Sequence, residues 1–330
     1  MSVAVLIAAK DAGATIARAI RSALAEPEVS QVIVVDDGSS DDTTGVARGE
    51  DDRSGRLLVE RFSVNQGPSA ARNHALALAT AAHIAILDAD DVIVRGRFAR
   101  LLATPEWDMV ADNILFVPDG TDLDTLVLPR AGGGSRVVDT AAFIDGCVAR
   151  GSRTRSQLGF LKPVIRRRLL TDAGLHYDER VRLGEDFILY VDLLRRGARF
   201  VVIDDVGYVA VERGNSLSAR HATGDLAALL AAERKIFAAL THGSPAARAM
   251  RARLGDTHAK YALRAFLQTK RDAGLIAGLA WLARRPDHWR SVIGGIARDK
   301  LHDAQARRRP MAAPPSPRLL LTAGEVADAR

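Results

Sequence analysis

Cysteine is almost missing from this 330-residue chain, where Cys147 stands alone. A single cysteine excludes an internal disulfide and suits a reducing compartment; it reads as a small core residue rather than a nucleophile. The sequence shows no His/Cys grouping with metal-ligand spacing. Long apolar runs are missing too, and none reaches the ~18–20 residues that cross a bilayer. Residues 1–10 are apolar but have no basic leader and no cleavage pattern, so they read as a first strand and not a signal peptide. A dinucleotide-dependent oxidoreductase would need a Gly-x-Gly-x-x-Gly turn after that strand, and residues 8–14 offer only Gly13.

The rest of the composition is that of an ordinary globular protein, 48% hydrophobic and 26% charged, long enough for one large or two smaller domains. Charge is unevenly spread. Residues 222–330 hold 19 Lys and Arg against 9 Asp and Glu, while the remainder holds 27 against 31. An acidic body with a basic tail points to an anionic surface for the tail, a membrane leaflet fitting as well as nucleic acid. No recognisable nucleic-acid module accompanies the basic residues, so no nucleic-acid partner is expected.

Periodicity predicts strands at 3–8, 31–35, 57–62 and 83–87, alternating with helices. Thr15 is placed to cap the first helix, Ser40 or Asp41 the second, and Pro68 opens the third over 69–79. Further on, helices are expected at 95–103, 140–149, 164–173 and 184–196, and extended chain at 107–117, 198–203 and 206–211. A glycine-rich loop is expected at 131–135, and residues 224–302 read as mostly helical. This pattern gives an α/β layer structure with a mostly parallel central sheet flanked by helices and a helical C-terminal extension. Ligands of such sheets bind at the carboxyl ends of the strands. Three candidate ligand segments fall there: 9–11, 36–39 and 88–91.

The last of these is the sharpest. The apolar run His83-Ile84-Ala85-Ile86-Leu87 ends in Asp88-Ala89-Asp90-Asp91. Carboxylates crowded at a strand end repel one another unless something positive sits among them. A divalent cation with a phosphate-bearing ligand answers that need, and Mg²⁺ and Mn²⁺ prefer oxygen donors. Taken alone, the triplet is better explained as a solvated acidic turn. The other segments are equally two-sided. Asp36-Asp37 either caps a helix or lets Asp37 accept from a nucleobase imide or a ribose. Arg72, one turn into the helix behind Gly67-Pro68, either lies on the surface or reaches back over the strand ends. Glu185-Asp186 after Gly184 either favours the helix dipole or supplies a general base. The loop Arg213-Gly214-Asn215-Ser216 through His221 either closes on phosphates or is plain surface, and His221 alone is weak evidence of a metal ligand.

These segments, in this order, make the chain resemble the family 2 inverting glycosyltransferases with the GT-A fold, most nearly bacterial exopolysaccharide enzymes of the succinoglycan type. The matching residues are Val3 to Asp11, Val34-Val35-Asp36-Asp37-Gly38-Ser39-Ser40-Asp41, Asn65-Gln66-Gly67-Pro68-Ser69-Ala70-Ala71-Arg72-Asn73, Leu87-Asp88-Ala89-Asp90-Asp91 and Gly184-Glu185-Asp186. The resemblance implies a catalytic domain over 1–221, its nucleotide-binding half 1–115 and its acceptor half 116–221. Beyond it lie a helical region over 222–303, facing a membrane or packing on the catalytic domain, and a disordered basic, proline-rich tail over 304–330. It implies a UDP-sugar donor held by Ala8, Ala9, Asp11, Asp37, Arg72, Asp88, Asp90, Arg213 and Ser216. It implies Mn²⁺ or Mg²⁺ on Asp88, Asp90 and Asp91, and Asp186 as base with Glu185 orienting the acceptor or supporting the base. The acceptor would be a saccharide, polyprenyl-diphosphate-linked where the tail faces lipid, with acceptor contacts from 150–165. The expected location is cytoplasmic, peripheral on the inner membrane.

One departure stands out: the family often has Pro-x-Tyr-Asn after its first strand, where this chain has Ala8-Ala9-Lys10-Asp11. The missing tyrosine removes a stacking partner for the base. The alternatives are a non-catalytic sugar-nucleotide-binding scaffold, or a nucleotidyltransferase of similar fold. The second would need a glycine- and basic-rich first loop that this chain lacks.

Overall fold

The computed structural model describes residues 2–123, 125–129, 133–148, 158–212, 222–306 and 316–321. Its first half follows from runs of aliphatic residues that need cover on both faces. Strands β1 (Val3–Ala9), β2 (Val29–Asp36), β3 (Leu57–Arg61) and β4 (His83–Ile86) pair in parallel in the order β3-β2-β1-β4. Helices α1 (Ile16–Leu24), α2 (Thr43–Gly49) and α3 (Pro68–Leu78) make the crossovers. Alternate residues of β1 serve opposite faces. Val3, Val5 and Ile7 join Ile16, Ala19 and Ile20 of α1 in one core, whereas Ala4 and Leu6 join Ala71 and Ala75 of α3 in another. Thr15 does not cap α1; its hydroxyl donates to the Ala12 carbonyl instead. Ser40 is not a cap either, and the Asp41 carboxylate accepts the Thr43 amide at 3.1 Å.

Beyond β4 the sheet becomes mixed. After β5 (Val92–Ile93), α4 (Arg97–Ala103), β6 (Met109–Pro118), β7 (Ser135–Val138) and α5 (Thr140–Gly146) comes β8 (Val164–Arg166). It slots antiparallel between β4 and β6. The helix expected over 164–173 is therefore only α6 (Arg167–Thr171), because the apolar start of that segment, Val164 and Ile165, is taken by the sheet interior. After α7 (Glu185–Arg195), the two expected strands are one continuous β9 (Phe200–Glu212), whose register against β6 slips between Ala111 and Ile114. The sequence hid this continuity behind the polar Asp204-Asp205 pair. Sheet order continues β8-β6-β9-β5, with β7 antiparallel on β9. The start of β7 lies in the segment read as loop.

The C-terminal region is helical as expected: α8 (Thr223–Ala239), α9 (Pro245–Ala283), kinked at Gly274, and α10 (Trp289–Ala306). The tail expected to be disordered contains β10 (Arg318–Leu319), antiparallel to β6. Strand β8 pairs only Met109 and Val110, leaving the later backbone groups of β6 for β10 at Leu115 and Phe116. Leu320 and Leu321 are buried, and Asn113 exchanges side-chain hydrogen bonds with both backbone groups of Leu321. An apolar Leu-Leu-Leu run explains why this short piece leaves solvent.

Candidate active site

Loops after β1, β2 and β4 and the start of α7 supply the charged side chains. The first two are tied together. The Asp11 carboxylate accepts from the Ser40 amide at 2.7 Å and its hydroxyl at 2.9 Å, and the Ser40 bonds hold it below the usual carboxylate range. Asp37 receives the Gln66 amide at 2.6 Å and the Gly67 amide at 2.9 Å, which clamps the turn leading into α3. Each carboxylate oxygen has two acceptor sites, so a nucleobase donor can share Asp37 with the clamp. Ala8 and Ala9 end β1 beside Val35 and Asp36, and the Ala9 carbonyl accepts the Asp37 amide at 2.8 Å.

The turn of α3 carries Arg72 inward, where it is buried. Its guanidinium donates to Glu185 and, at 3.2 Å, to Asp88, lies 3.6 Å from Asp186, and sits over the Tyr177 ring at 5.5 Å. Gly184, at φ +71, starts α7 in a left-handed conformation that only glycine adopts cheaply, and this delivers Glu185 and Asp186 to the cluster. Burial disfavours the Arg72 charge, but Asp186 and Glu185 outweigh it and hold the group protonated.

A second cation joins Arg72. Lys162 places its Nζ 2.9 Å from Asp88 Oδ2 and 3.2 Å from Asp186 Oδ2, so one ammonium links the strand-end acid to the helix-start acid. Burial opposes that charge, and Asp88 with Asp186 overcomes it. Asp88 is likewise pushed up by burial and pulled down further by Lys162 and Arg72, ending below its ordinary value. Sequence reasoning noted Lys162 only as part of a stretch preceding the base. The signal was a lysine set between Leu161 and Pro163, where apolar neighbours commit the chain to burial.

Lys162 is itself held from behind. The Arg97 guanidinium pairs with Asp112 at 2.9 Å, both side chains fully buried, and donates to the Lys162 carbonyl at 2.6 Å. A side chain at position 207 would overlap the Asp112 carboxylate, so the middle of β9 must be glycine there.

Asp91, the third acid of the turn and expected as a further metal ligand, is engaged from within the sheet. One oxygen accepts the Tyr208 hydroxyl at 2.8 Å and the other the Val211 amide at 3.0 Å, pinning β9 to the acidic turn. Burial, with the charges of Asp88 and Asp90, pushes its carboxyl up to about 8. Asp88 and Asp90, both partly exposed at the carboxyl end of β4, remain an all-oxygen pair fitting a hard divalent cation. One Asp186 oxygen, Oδ1, is buried without a hydrogen-bond partner, with the Arg72 guanidinium 3.6 Å away. The structure thus gathers Arg72, Asp88, Glu185 and Asp186 within ion-pair reach. Arg213, Ser216 and His221 lie outside the described residues, as do 150–157 of the expected acceptor segment.

The family model of Glycosyl transferase family 2 matches residues 4–150. Succinoglycan biosynthesis protein ExoU of Rhizobium meliloti is 44% identical over 314 residues, covering 94% of this chain and 90% of that protein. Succinoglycan biosynthesis protein ExoO of the same organism is 33% identical over 239 residues, covering 69% of this chain and 66% of that protein. Among solved structures, S. aureus TarS in complex with UDP-GlcNAc aligns with a TM-score of 0.59 at 18% identity, covering 88% of this chain and 82% of that one. Mannosyltransferase PcManGT from Pyrobaculum calidifontis, in complex with GDP-Man and Mn²⁺, aligns at 0.54 and 17%, covering 90% and 86%. At these identities the two structures speak to the fold alone.

Proposed function

Because the chain belongs to glycosyl transferase family 2 and has its GT-A fold, we propose that it moves a sugar, with inversion, from a UDP-sugar to a hydroxyl of a growing exopolysaccharide unit on a lipid carrier. The observation that carries this reading is Asp186. It has one buried oxygen that makes no hydrogen bond and lies 3.6 Å from the Arg72 guanidinium, and the other is tied through Lys162 to Asp88 at the strand end. A base and a leaving-group site joined by one cation suit a single in-line displacement. Asp186 Oδ1 takes the acceptor proton as the hydroxyl attacks the anomeric carbon. Glu185, paired with Arg72, keeps that guanidinium from moving onto Asp186 and so supports the base.

Asp88 and Asp90 would hold Mn²⁺ or Mg²⁺, which when bound supplies Lewis-acid neutralisation of the departing diphosphate. Arg72 and Lys162 bring two further positive charges to the same end, where buried charge acts through a low dielectric. Asp11 and Asp37, with the backbone of Ala8 and Ala9, form the floor for the nucleotide, and Asp37 offers spare lone pairs to a base imide. The UDP-GlcNAc bound by TarS and the succinoglycan roles in the names of the two relatives support this donor and product class.

No helix among the described residues is long and apolar enough to cross a membrane. The face of α9 and α10 beyond Gly274 nevertheless exposes Leu275, Ile276, Leu279, Trp289 and Ile293 among arginines. This face rests on the cytoplasmic leaflet and brings the site to a lipid-linked acceptor.

The test is UDP release with Mn²⁺ or Mg²⁺ across a panel of UDP-sugars, for wild type and Asp186→Asn. Metal-dependent release with one sugar, cut about 10²–10⁴-fold in the variant, identifies the donor and supports the base. A folded protein that neither releases UDP nor binds it with metal refutes the UDP assignment.

A further inference from the structure

The C-terminal hairpin brings together side chains that the sequence keeps about one helix length apart. His258 lies in the first half of α9, and Asp287-His288 closes the turn Pro286–His288 before α10. One ligand atom from each lies within 4.8 Å of the other two. We propose that His258, Asp287 and His288 form a binding site for a borderline transition-metal cation of the Zn²⁺ type, separate from the oxygen pair at Asp88 and Asp90.

The geometry is close to what such an ion needs. A tetrahedral ion with bonds of ~2.0–2.1 Å sets its ligand atoms ~3.3 Å apart. Asp287 Oδ2 is 3.0 Å from His288 Nδ1 and 3.6 Å from His258 Nε2, bracketing that edge. The remaining edge, between the two ring nitrogens, is within 4.8 Å.

His288 gives an independent pointer. It is more than nine-tenths buried, yet its Nδ1 has no hydrogen-bond partner, although the Asp287 oxygen is only 3.0 Å away. A ring nitrogen and a carboxylate oxygen set this close, without an aligned hydrogen bond, can both direct lone pairs at one cation.

The surroundings suit a fixed ligand set. The two imidazoles meet edge to face at 4.6 Å, and His288 is walled by Trp281 at 5.3 Å and Tyr261 at 6.1 Å. The side chain of Asp287 is 65% exposed and that of His258 23%, so the ion has a path in and solvent supplies a fourth ligand. Two imidazoles and one carboxylate select Zn²⁺, Co²⁺ or Ni²⁺ over Mg²⁺ and Mn²⁺, the reverse of the all-oxygen pair. The ion would fasten the turn onto α9 and so hold α10 against it.

The experiment is a titration of untagged, metal-stripped full-length chain with Co²⁺, followed by its visible d–d absorption, with Zn²⁺ as competitor. The expected result is one equivalent of a tetrahedral-type spectrum that Zn²⁺ displaces. His258→Gln and Asp287→Asn, chosen at partly exposed positions, should each weaken that affinity at least tenfold while circular dichroism and Mn²⁺-dependent UDP binding stay as in wild type. No such spectrum, or one of equal affinity in both folded variants, overturns the proposal; the second result would assign the ion to the acidic strand end instead.

Discussion

At the scale of single residues, the acids and Arg72 were legible and Lys162 was not. Asp88, Asp186 and Glu185 announced themselves because carboxylates at a strand end and a helix start are conspicuous in a linear reading. Lys162 did not, because its role depends on β8 entering the sheet antiparallel, a long-range pairing with no local signature. Its bridge predicts a particular defect. Lys162→Met removes one of two cations facing Asp88 and Asp186 and leaves both acids without its charge. Turnover should fall by about 10–10³-fold, on the scale of losing one preorganised electrostatic contact. Arg72→Lys should also impair turnover, since an ammonium cannot reproduce a guanidinium that meets Asp88 and Glu185 with separate nitrogens. UDP affinity with metal present, measured calorimetrically, should change less than turnover for Lys162→Met. A folded variant with wild-type turnover would show that the bridge has no part in transfer.

At the scale of elements, the parallel half was readable because each strand and helix there follows from its own periodicity. The mixed half was not, since β7 and β10 are short outer strands and β8 a three-residue insert between β4 and β6, all recruited by backbone groups their neighbours leave unpaired. Two contacts between elements make predictions. Arg253 of α9 donates to Glu233 of α8 at 2.8 Å and to the Cys147 carbonyl at 2.8 Å, with its guanidinium 3.6 Å above the Phe187 ring of α7. Burial pushes the Glu233 carboxyl up, against the pull of Arg253. Arg253→Ala would strand that acid and should cost roughly 3–5 kcal/mol in chemical denaturation, while replacing both residues by apolar ones of similar size should restore most of it.

The second contact is His83 at the start of β4, beside Trp107 at 5.3 Å and with Nδ1 3.1 Å from the Ser2 carbonyl. Burial lowers its pKa, the Ser2 bond raises it somewhat, and the Arg166 charge lowers it again. The unfolded chain therefore takes up the proton first as pH falls. Stability should be full above ~6.5 and decline below it by at most about 1.4 kcal/mol per pH unit. His83→Gln should flatten that part of the stability-versus-pH curve. An unchanged slope would remove His83 as its source.

At the scale of the whole molecule, the uneven charge seen in the sequence acquires a location. The helices beyond Gly274 present Ile276 at 86% exposure and Ile293 at 62%, with Arg284, Arg285 and Arg290 in the same stretch and Arg271 just before the kink. No helix among the described residues is long and apolar enough to span a bilayer, and the role proposed for this face is to lie on one. Each basic group near an anionic leaflet contributes about 1 kcal/mol, and each buried aliphatic side chain up to ~1.5–3 kcal/mol. Cosedimentation should therefore show binding to anionic vesicles, weakening as salt rises, and little binding to neutral ones. Replacing Leu275, Ile276 and Leu279 together by Gln should lower vesicle affinity at least tenfold while leaving UDP binding intact, because those side chains lie outside the acidic cluster. Charge reversal at Arg271 and Arg285 should remove the salt dependence along with most of the affinity. If the triple variant bound vesicles as wild type does, the apolar face would not be the contact. A change in its sedimentation coefficient instead would assign that face to a second copy of the chain.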